Sequence, residues 1–347
     1  MMQISAQALE HFAAQVLESC GVPSEDARSA AHLLVLSDLR GVDTHGVRLL
    51  PIYARRILAG GVAKAPSIRI LRQSPSTALL DGGAGLGQVV GSRAMSLAIQ
   101  MARSSGTGFV AVRNTTHCAA VGNYALLALE HDMIGLCISN TYASMAVHGA
   151  ARKCIGNNPM AIAAPAGRHA PFVLDMATSI TSWHKIYMAG ERGELLPDGM
   201  VLDAEGNPTR DPHRARGGSI LPFGGAKGSG LAIAIDILSG VLSGGAFGRS
   251  VGILVTDHHK AERVSASFAA LDVKHFMPID EFKARADALI DEIKSTPAAT
   301  GLADVLIPGE RAHREMLLRQ KEGIPLPETT RKALEDLAAS VGLHFPA

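Results

Sequence analysis

The segment Leu39–Leu50, LRGVDTHGVRLL, places a hydroxyl, an imidazole and a guanidinium within five residues. The pattern predicts a helix that breaks at Gly41, so Thr44, His45 and Arg48 belong to a turn and not to a helix face. Arg48 can grip a carboxylate through two parallel hydrogen bonds. His45 can pass a proton near neutral pH, and Thr44 can orient the imidazole or a substrate oxygen. All three abilities serve the reduction of a small keto acid. The same residues also suit a helix C-terminus, where His45 and Arg48 would cap the last carbonyls.

Two glycine-rich loops invite a nucleotide. TALLDGGAGLGQVVGSRAMSLA reads as strand, turn and helix, but GxGxxG requires glycines at offsets zero, two and five. From Gly83 and Gly85 the third position is Gln88, and from Gly85 and Gly87 it is Val90. The next strand ends in Arg113 and Asn114, where a ribose-binding acid would be needed. The Rossmann fingerprint is absent. The second loop, LPFGGAKGSGLAIAIDI from Leu221 to Ile237, lacks GK[ST] and so is no P-loop. It still offers free N–H groups, a helix N-terminus and Lys227 to an anion. Alternatively it is a glycine hinge for tight helix packing, with Lys227 in solvent.

These elements sit in a chain of 347 residues, 47% hydrophobic and 19% charged, long enough for two or three domains. Formal net charge is +1 with no basic block, which argues against nucleic acid or an anionic membrane as partner. Cys20, Cys118, Cys137 and Cys154 form no CxxC pair, as expected of reduced thiols in the cytoplasm. The N-terminal residues lack a basic stretch followed by an apolar run, so no secretory signal is read. The most apolar run, Leu231–Phe247, carries Asp236 and is shorter than the ~20 residues of a bilayer span, so a buried helix is expected there.

Periodicity predicts helices at both ends of the chain. Ser5 and Ser24 are expected to cap the first two, and a third runs from Leu50 to Leu58 before Gly60 and Gly61. Near the C-terminus, helices over Glu310–Lys321 and Thr330–Ala339 flank an extended IPLP. The middle alternates. STALLD, GFVAVRN, IGLCISN, FVLDMA and VGILVTD read as strands, with helices over Val89–Ala102 and Ala119–Glu130. The expectation is an α/β core, residues 76–285, covered by helical segments 1–75 and 286–347 that pack together. Pattern alone favours a parallel doubly wound sheet, but the glycine motifs oppose it. Fourteen histidines raise a metal hydrolase, yet HExxH is missing and His258–His259 is an adjacent pair that cannot project to one helix face. No metal is expected. A non-catalytic carboxylate-binding protein would need Arg48 but not His45.

Taken together, LRGVDTHGVRLL, DGGAGLGQ, RNTTH, IGNNPMAIAAP, VLDMATS, LPDGMVLDAEGNPTRDP, LPFGGAKGSG, LSGVLSGGAFG and IPGER resemble, in order and over nearly the whole chain, the malate/L-lactate dehydrogenase family of the non-Rossmann type. That family includes ureidoglycolate dehydrogenases, diketogulonate reductases, sulfolactate dehydrogenases and reductases of piperideine- and pyrroline-2-carboxylate. The resemblance implies an α/β, non-Rossmann nicotinamide-binding fold with a largely antiparallel central sheet. It also implies NAD or NADP as cofactor, a small carboxylate substrate and a homodimer with sites near the subunit boundary. Catalytic roles would fall on Thr44, His45 and His117, and substrate binding on Arg48 and His148. Cofactor contacts would fall on Asn140, Asp175, Met176, Ala177, Thr178, Lys185, Lys227, Gly309, Glu310 and Arg311. The implied reaction is hydride transfer between nicotinamide and a small 2-oxo or 2-hydroxy acid. The alternative is reduction of cyclic 2-imino acids. His148 resembles the imine-reducing branch, whereas Lys185 resembles the hydroxy-acid branch, and Cys118 stands where an aromatic is common.

Overall fold

The computed structural model describes residues 2–346. After strand β1 (Met2–Ile4), Ser5 starts helix α1 (Ala6–Ser19) by accepting the Ala8 N–H at 3.2 Å. Helix α2 (Ser24–Leu39) differs from expectation: Pro23 is its N-cap and Ser24 its first turn, with Glu25 and Asp26 answering the helix dipole there. Helix α3 (Leu50–Ala59) ends on Gly60, whose φ of +85° is the left-handed cap that favours glycine.

Strands β2 (Arg69–Gln73) and β3 (Thr77–Asp81) form a hairpin, and β3, helix α4 (Gly87–Ser105) and β4 (Thr107–Thr115) make a parallel βαβ unit. Helix α5 (Gly122–Leu129) precedes the meander β5 (Met133–Ser139), β6 (Met160–Ala164) and β7 (Phe172–Met176). A small unit follows, with helix α6 (Trp183–Glu191) and strands β8 (Val201–Leu202), β9 (Pro208–Thr209) and β10 (Ser219–Ile220). Helix α7 (Ala226–Asp236) runs into a π turn over Ile237–Val241, and strand β11 (Val264–Asp272) re-enters the sheet. Helices α8 (Ile279–Lys294) and α9 (Glu310–Glu322), strand β12 (Ile324–Leu326) and helix α10 (Glu328–Ser340) complete the chain.

The main sheet has the order β2-β3-β4-β11-β5-β6-β7, with only β3–β4 parallel. It is the largely antiparallel α/β arrangement expected from the resemblance. Its central strand, β11, went unread in the sequence. Alternation explains both faces of that strand: Phe268 packs edge-on to Tyr124 of α5, while the Ser267 hydroxyl donates to the Leu238 carbonyl of the π turn at 2.7 Å. The helical layer joins both chain ends, because β1 pairs with β12 and Leu9, Phe12, Leu34, Ile57 and Leu334 share one core. The domain limits drawn after residues 75 and 285 fall inside the β2–β3 hairpin and inside α8.

Two sequence readings are corrected. VGILVTD is not a strand. Arg56 of α3 instead takes the carbonyls of Leu254 at 3.1 Å and Thr256 at 3.3 Å, which a ladder would need. The run Leu231–Phe247 is not a buried helix either, since Ile233, Ile237, Leu238, Val241, Leu242 and Phe247 are each more than two-fifths exposed.

Candidate active site

Between α2 and α3 the chain makes two consecutive 3-10 turns, Asp43–His45 and Val47–Leu49. A carboxyl oxygen of buried Asp38 accepts the Val47 N–H at 2.8 Å, and burial pushes this carboxyl up to about 8. Gly46 has no room for a side chain, because a Cβ would lie 2.0 Å from Asp38 Oδ1. Arg319 of α9 closes the other side: it donates to the Asp38 carbonyl and to Glu315, each at 2.6 Å, and pairs with Asp43. Helices from both chain ends thus fix the turn that carries Thr44, His45 and Arg48.

His117 follows β4 and is set by the first glycine-rich loop. Asp81 accepts from Gly83 N at 3.0 Å, Asn114 Nδ2 at 3.1 Å and Arg113 Nε at 3.2 Å. Thr116 accepts the Gly87 N–H at 3.0 Å, and a Cβ on Gly87 would fall 2.4 Å from the His117 carbonyl oxygen. This loop therefore docks α4 beneath His117.

The His45 and His117 rings stack with centroids 5.9 Å apart and 23° between planes. Thr44 Oγ1 lies 2.9 Å from His45 Nδ1, and the Tyr53 hydroxyl lies 2.8 Å from His117 Nδ1. Each imidazole thus has Nδ1 tied to a hydroxyl, and neither Nε2 has a protein partner among the described residues. Burial pushes His45 down to about 4, helped by the Arg48 charge. Burial likewise pushes His117 down to about 3, helped by His45. At neutral pH both rings are uncharged and able to accept a proton. Behind them, fully buried Tyr53 sits one helical turn before Arg56, which pairs with buried Glu262 at 3.2 Å. Burial lifts the Glu262 carboxyl to about 7, opposed by Arg56.

Arg48 is exposed and has no carboxylate partner among the described residues. Its Nη1 lies 3.3 Å from Nδ1 and 3.5 Å from Nε2 of His184 on α6. Beyond it, the other expected site residues line β7 and the loops beside it. Gly309 packs on Val173, where a Cβ would meet the Val173 side chain at 2.7 Å. Asp175 is exposed and places one carboxylate oxygen 3.0 Å from Gly122 N, and Met176 and Ala177 are half-buried. Thr178 accepts the Phe223 N–H at 3.0 Å, which ties β7 to the loop carrying Lys227. Lys227 is exposed in the first turn of α7, a helix with no acidic residue there and no side-chain cap. His148 stands beside it, its Nδ1 3.3 Å from a Cβ built on Gly225. Lys185 and Arg311 are exposed.

Three expected cofactor residues have other work. Thr178 is fully buried and its hydroxyl donates to the Asn157 carbonyl at 2.9 Å. The Asn140 amide donates to Asp236 Oδ1 at 3.0 Å and to the Ala246 carbonyl at 2.8 Å, and accepts the Ser265 N–H at 2.9 Å. Glu310 accepts from Lys294 at 2.9 Å and from Arg314, and these partners hold it at about 2, ionised and engaged. Cys118 is buried behind His117, in the core against the sheet. Sequence reading missed Tyr53, Glu262 and His184. Tyr53 had one usable signal: it lies five residues after Arg48 on the next helix.

A family model described as malate/L-lactate dehydrogenase matches residues 4–335. Malate dehydrogenase of Pyrococcus abyssi is 40% identical over 350 residues, covering 99% of this chain and 96% of that protein. Ureidoglycolate dehydrogenase (NAD(+)) of Escherichia coli is 30% identical, covering 94% of this chain and 93% of its own length. The solved structure of sulfolactate dehydrogenase from Methanocaldococcus jannaschii superposes with a TM-score of 0.93 at 39% identity, covering 99% of this chain and 98% of the other. The chain belongs to the malate/L-lactate dehydrogenase family.

Proposed function

We propose that the protein catalyses reversible hydride transfer between a nicotinamide dinucleotide and a small 2-oxo or 2-hydroxy acid, in the turn that joins α2 to α3. The observation that carries this reading is a pair of stacked, neutral imidazoles, each held at Nδ1 by a hydroxyl, beside an arginine with no carboxylate partner. Arg48 binds the substrate carboxylate and fixes the face that the reacting carbon presents. His45 accepts the hydroxyl proton in oxidation and returns it in reduction. A carboxylate on Arg48 offsets the positive charge that depresses His45, so substrate binding itself raises the proton affinity of the base. His117, oriented by Tyr53, holds the substrate oxygen through Nε2 as negative charge builds there.

The dinucleotide, NAD or NADP, supplies or accepts the hydride when bound. The donor set fits such a group. The uncapped N-terminus of α7 with Lys227 suits a diphosphate, and exposed Asp175 suits a ribose hydroxyl. Met176, Ala177 and Gly309 line the remaining length of β7 and its end, exposed Arg311 follows in the first turn of α9, and buried Thr178 braces the turn after β7. Asn140 and Glu310 support this wall from behind, and Lys185 lies on its α6 side.

The exposed apolar side chains from Ile233 to Phe247 support a homodimer formed through α7 and its π turn, since a monomer seldom leaves such a patch in water. Four free cysteines suit a reducing compartment, and we place the protein in the cytoplasm. No helix among the described residues is long and apolar enough to cross a membrane.

The test is a rate panel with NADH and NADPH against pyruvate, oxaloacetate, a diketo sugar acid and the two cyclic imino acids. Turnover of an open-chain keto acid, lost about 10²–10⁴-fold in His45→Ala, supports the reading. Turnover of cyclic imines alone would replace it with the imine-reductase alternative and turn attention to His148. Sedimentation of Leu242→Glu as a monomer, against a dimer for the unaltered protein, tests the interface.

A further inference from the structure

Helix α6 reaches across the fold to place His184 against Arg48, 136 residues away in sequence. The contact joins two nitrogen-bearing groups with no acid between them. Arg48 can only donate, so the imidazole accepts from it and is neutral in this state. The amino end of α6 adds a helix N-terminus with no acidic residue in its first turn. Ser182 caps one of its N–H groups by accepting from Lys185 N at 3.3 Å. Exposed Lys185 adds a further positive charge. A guanidinium whose side-chain hydrogen-bond partner among the described residues is an imidazole, at a positive helix end, is a site that an anion would complete.

We propose that His184 determines specificity: with Arg48 and the amino end of α6 it recognises a second acidic group, so the protein selects small 2-oxo or 2-hydroxy acids with two anionic ends over monoacids. This inference rests on Arg48 as the carboxylate grip of the proposed function. Once a substrate occupies the guanidinium, His184 turns from acceptor to donor and binds the far acid group as imidazolium.

The charged groups facing His184 are Arg48 from the turn and Glu191 from its own helix, with Lys185 next to it in sequence. Burial and Arg48 depress His184, and Glu191 opposes them. The free ring is therefore neutral at pH 7, and binding a second anion takes up a proton. Binding of the diacid weakens as pH rises, whereas binding of the monoacid does not share that dependence.

The only tryptophan, Trp183, is adjacent to His184 and stacks on Tyr187 with ring centroids 6.0 Å apart. Its fluorescence reports occupancy without turnover. The experiment titrates the unaltered protein and His184→Gln with L-malate, sulfolactate and L-lactate near pH 6 and pH 8, with no cofactor present. In parallel, kcat/KM is measured with NADH or NADPH for oxaloacetate against pyruvate. The unaltered protein is expected to prefer the diacids by about tenfold or more near pH 6, with a smaller preference near pH 8. His184→Gln is expected to lose about tenfold of that preference, the size of one charge-assisted contact at a half-exposed site. Malate favoured over sulfolactate marks a carboxylate as the second group, and the reverse marks a sulfonate. Equal binding of L-malate and L-lactate by the unaltered protein, or an unchanged preference in His184→Gln, overturns the proposal. No turnover of any acceptor while the fluorescence preference persists would overturn the proposed function alone.

Discussion

Tyr53→Phe isolates a single hydrogen bond behind the reacting centre. The phenol lies 2.8 Å from His117 Nδ1 and its ring is fully buried, so the substitution removes one oxygen and leaves the packing in place. His117 Nδ1 then has no partner in a site that burial has already made unfavourable for charge. An unpaired buried polar atom costs about 1–3 kcal/mol. At 1.4 kcal/mol per tenfold, a loss of that size in the transition state slows turnover roughly 5- to 150-fold. The loss belongs in kcat if His117 steadies the reacting oxygen as proposed, because Tyr53 contacts that imidazole and not the Arg48 end of the site. The assay follows loss of reduced nicotinamide absorbance over a range of keto acid concentrations, alongside a thermal melt of each protein. A kcat within twofold of the unaltered protein, with the melting temperature unchanged, would refute the role given to Tyr53. A rise in KM alone would place Tyr53 with substrate binding instead.

Other perturbations test the frame around the site. Gly46→Ala forces a Cβ into Asp38 Oδ1 and displaces the turn by a large fraction of an ångström; activity is expected to fall about 10²-fold, and a variant retaining a third of the rate would contradict the geometry. Arg319→Ala leaves Asp43 and Glu315, both partly exposed, without their shared partner and strips a donor from the buried Asp38 carbonyl; a loss of about 1–3 kcal/mol in denaturant unfolding is expected, and less than about 0.5 would sink the account. Asp38 carries a folded value of about 8, above its unfolded value near 3.9, so its contribution to stability is full below the unfolded value and is lost as pH rises through about 8. Asp38→Asn keeps an acceptor for the Val47 N–H but cannot ionise. Its melting temperature should therefore gain on the unaltered protein as pH goes from about 5 to about 9, and a gap that does not change with pH would be the contrary result.

Local chemistry was readable wherever the next few residues decide it. Ser5 caps its helix, Gly60 ends another, and the turn after Gly41 carries Thr44, His45 and Arg48 because glycine and hydroxyl residues act within one turn of themselves. Long-range pairing decided the rest. Strand β11 is built from VSASFAALD, whose small and hydroxyl residues carry little strand propensity. It becomes the centre of the sheet only because β4 and β5 take both of its edges. VGILVTD shows the reverse: an apolar, branched run loses its ladder because a guanidinium from α3 takes two of its carbonyls.

The sequence by itself determined the types of group available for catalysis, the turn that holds three of them, and family membership through motifs in fixed order. Only the tertiary structure decided what the His117 imidazole leans on, which residue faces Arg48, and which expected cofactor residues are already engaged within the protein. Tyr53 meets His117 across 64 positions and His184 meets Arg48 across 136. Asn140 meets Asp236 across 96. No local pattern encodes such meetings, because the energy that makes them is released only when the sheet and both chain ends have packed.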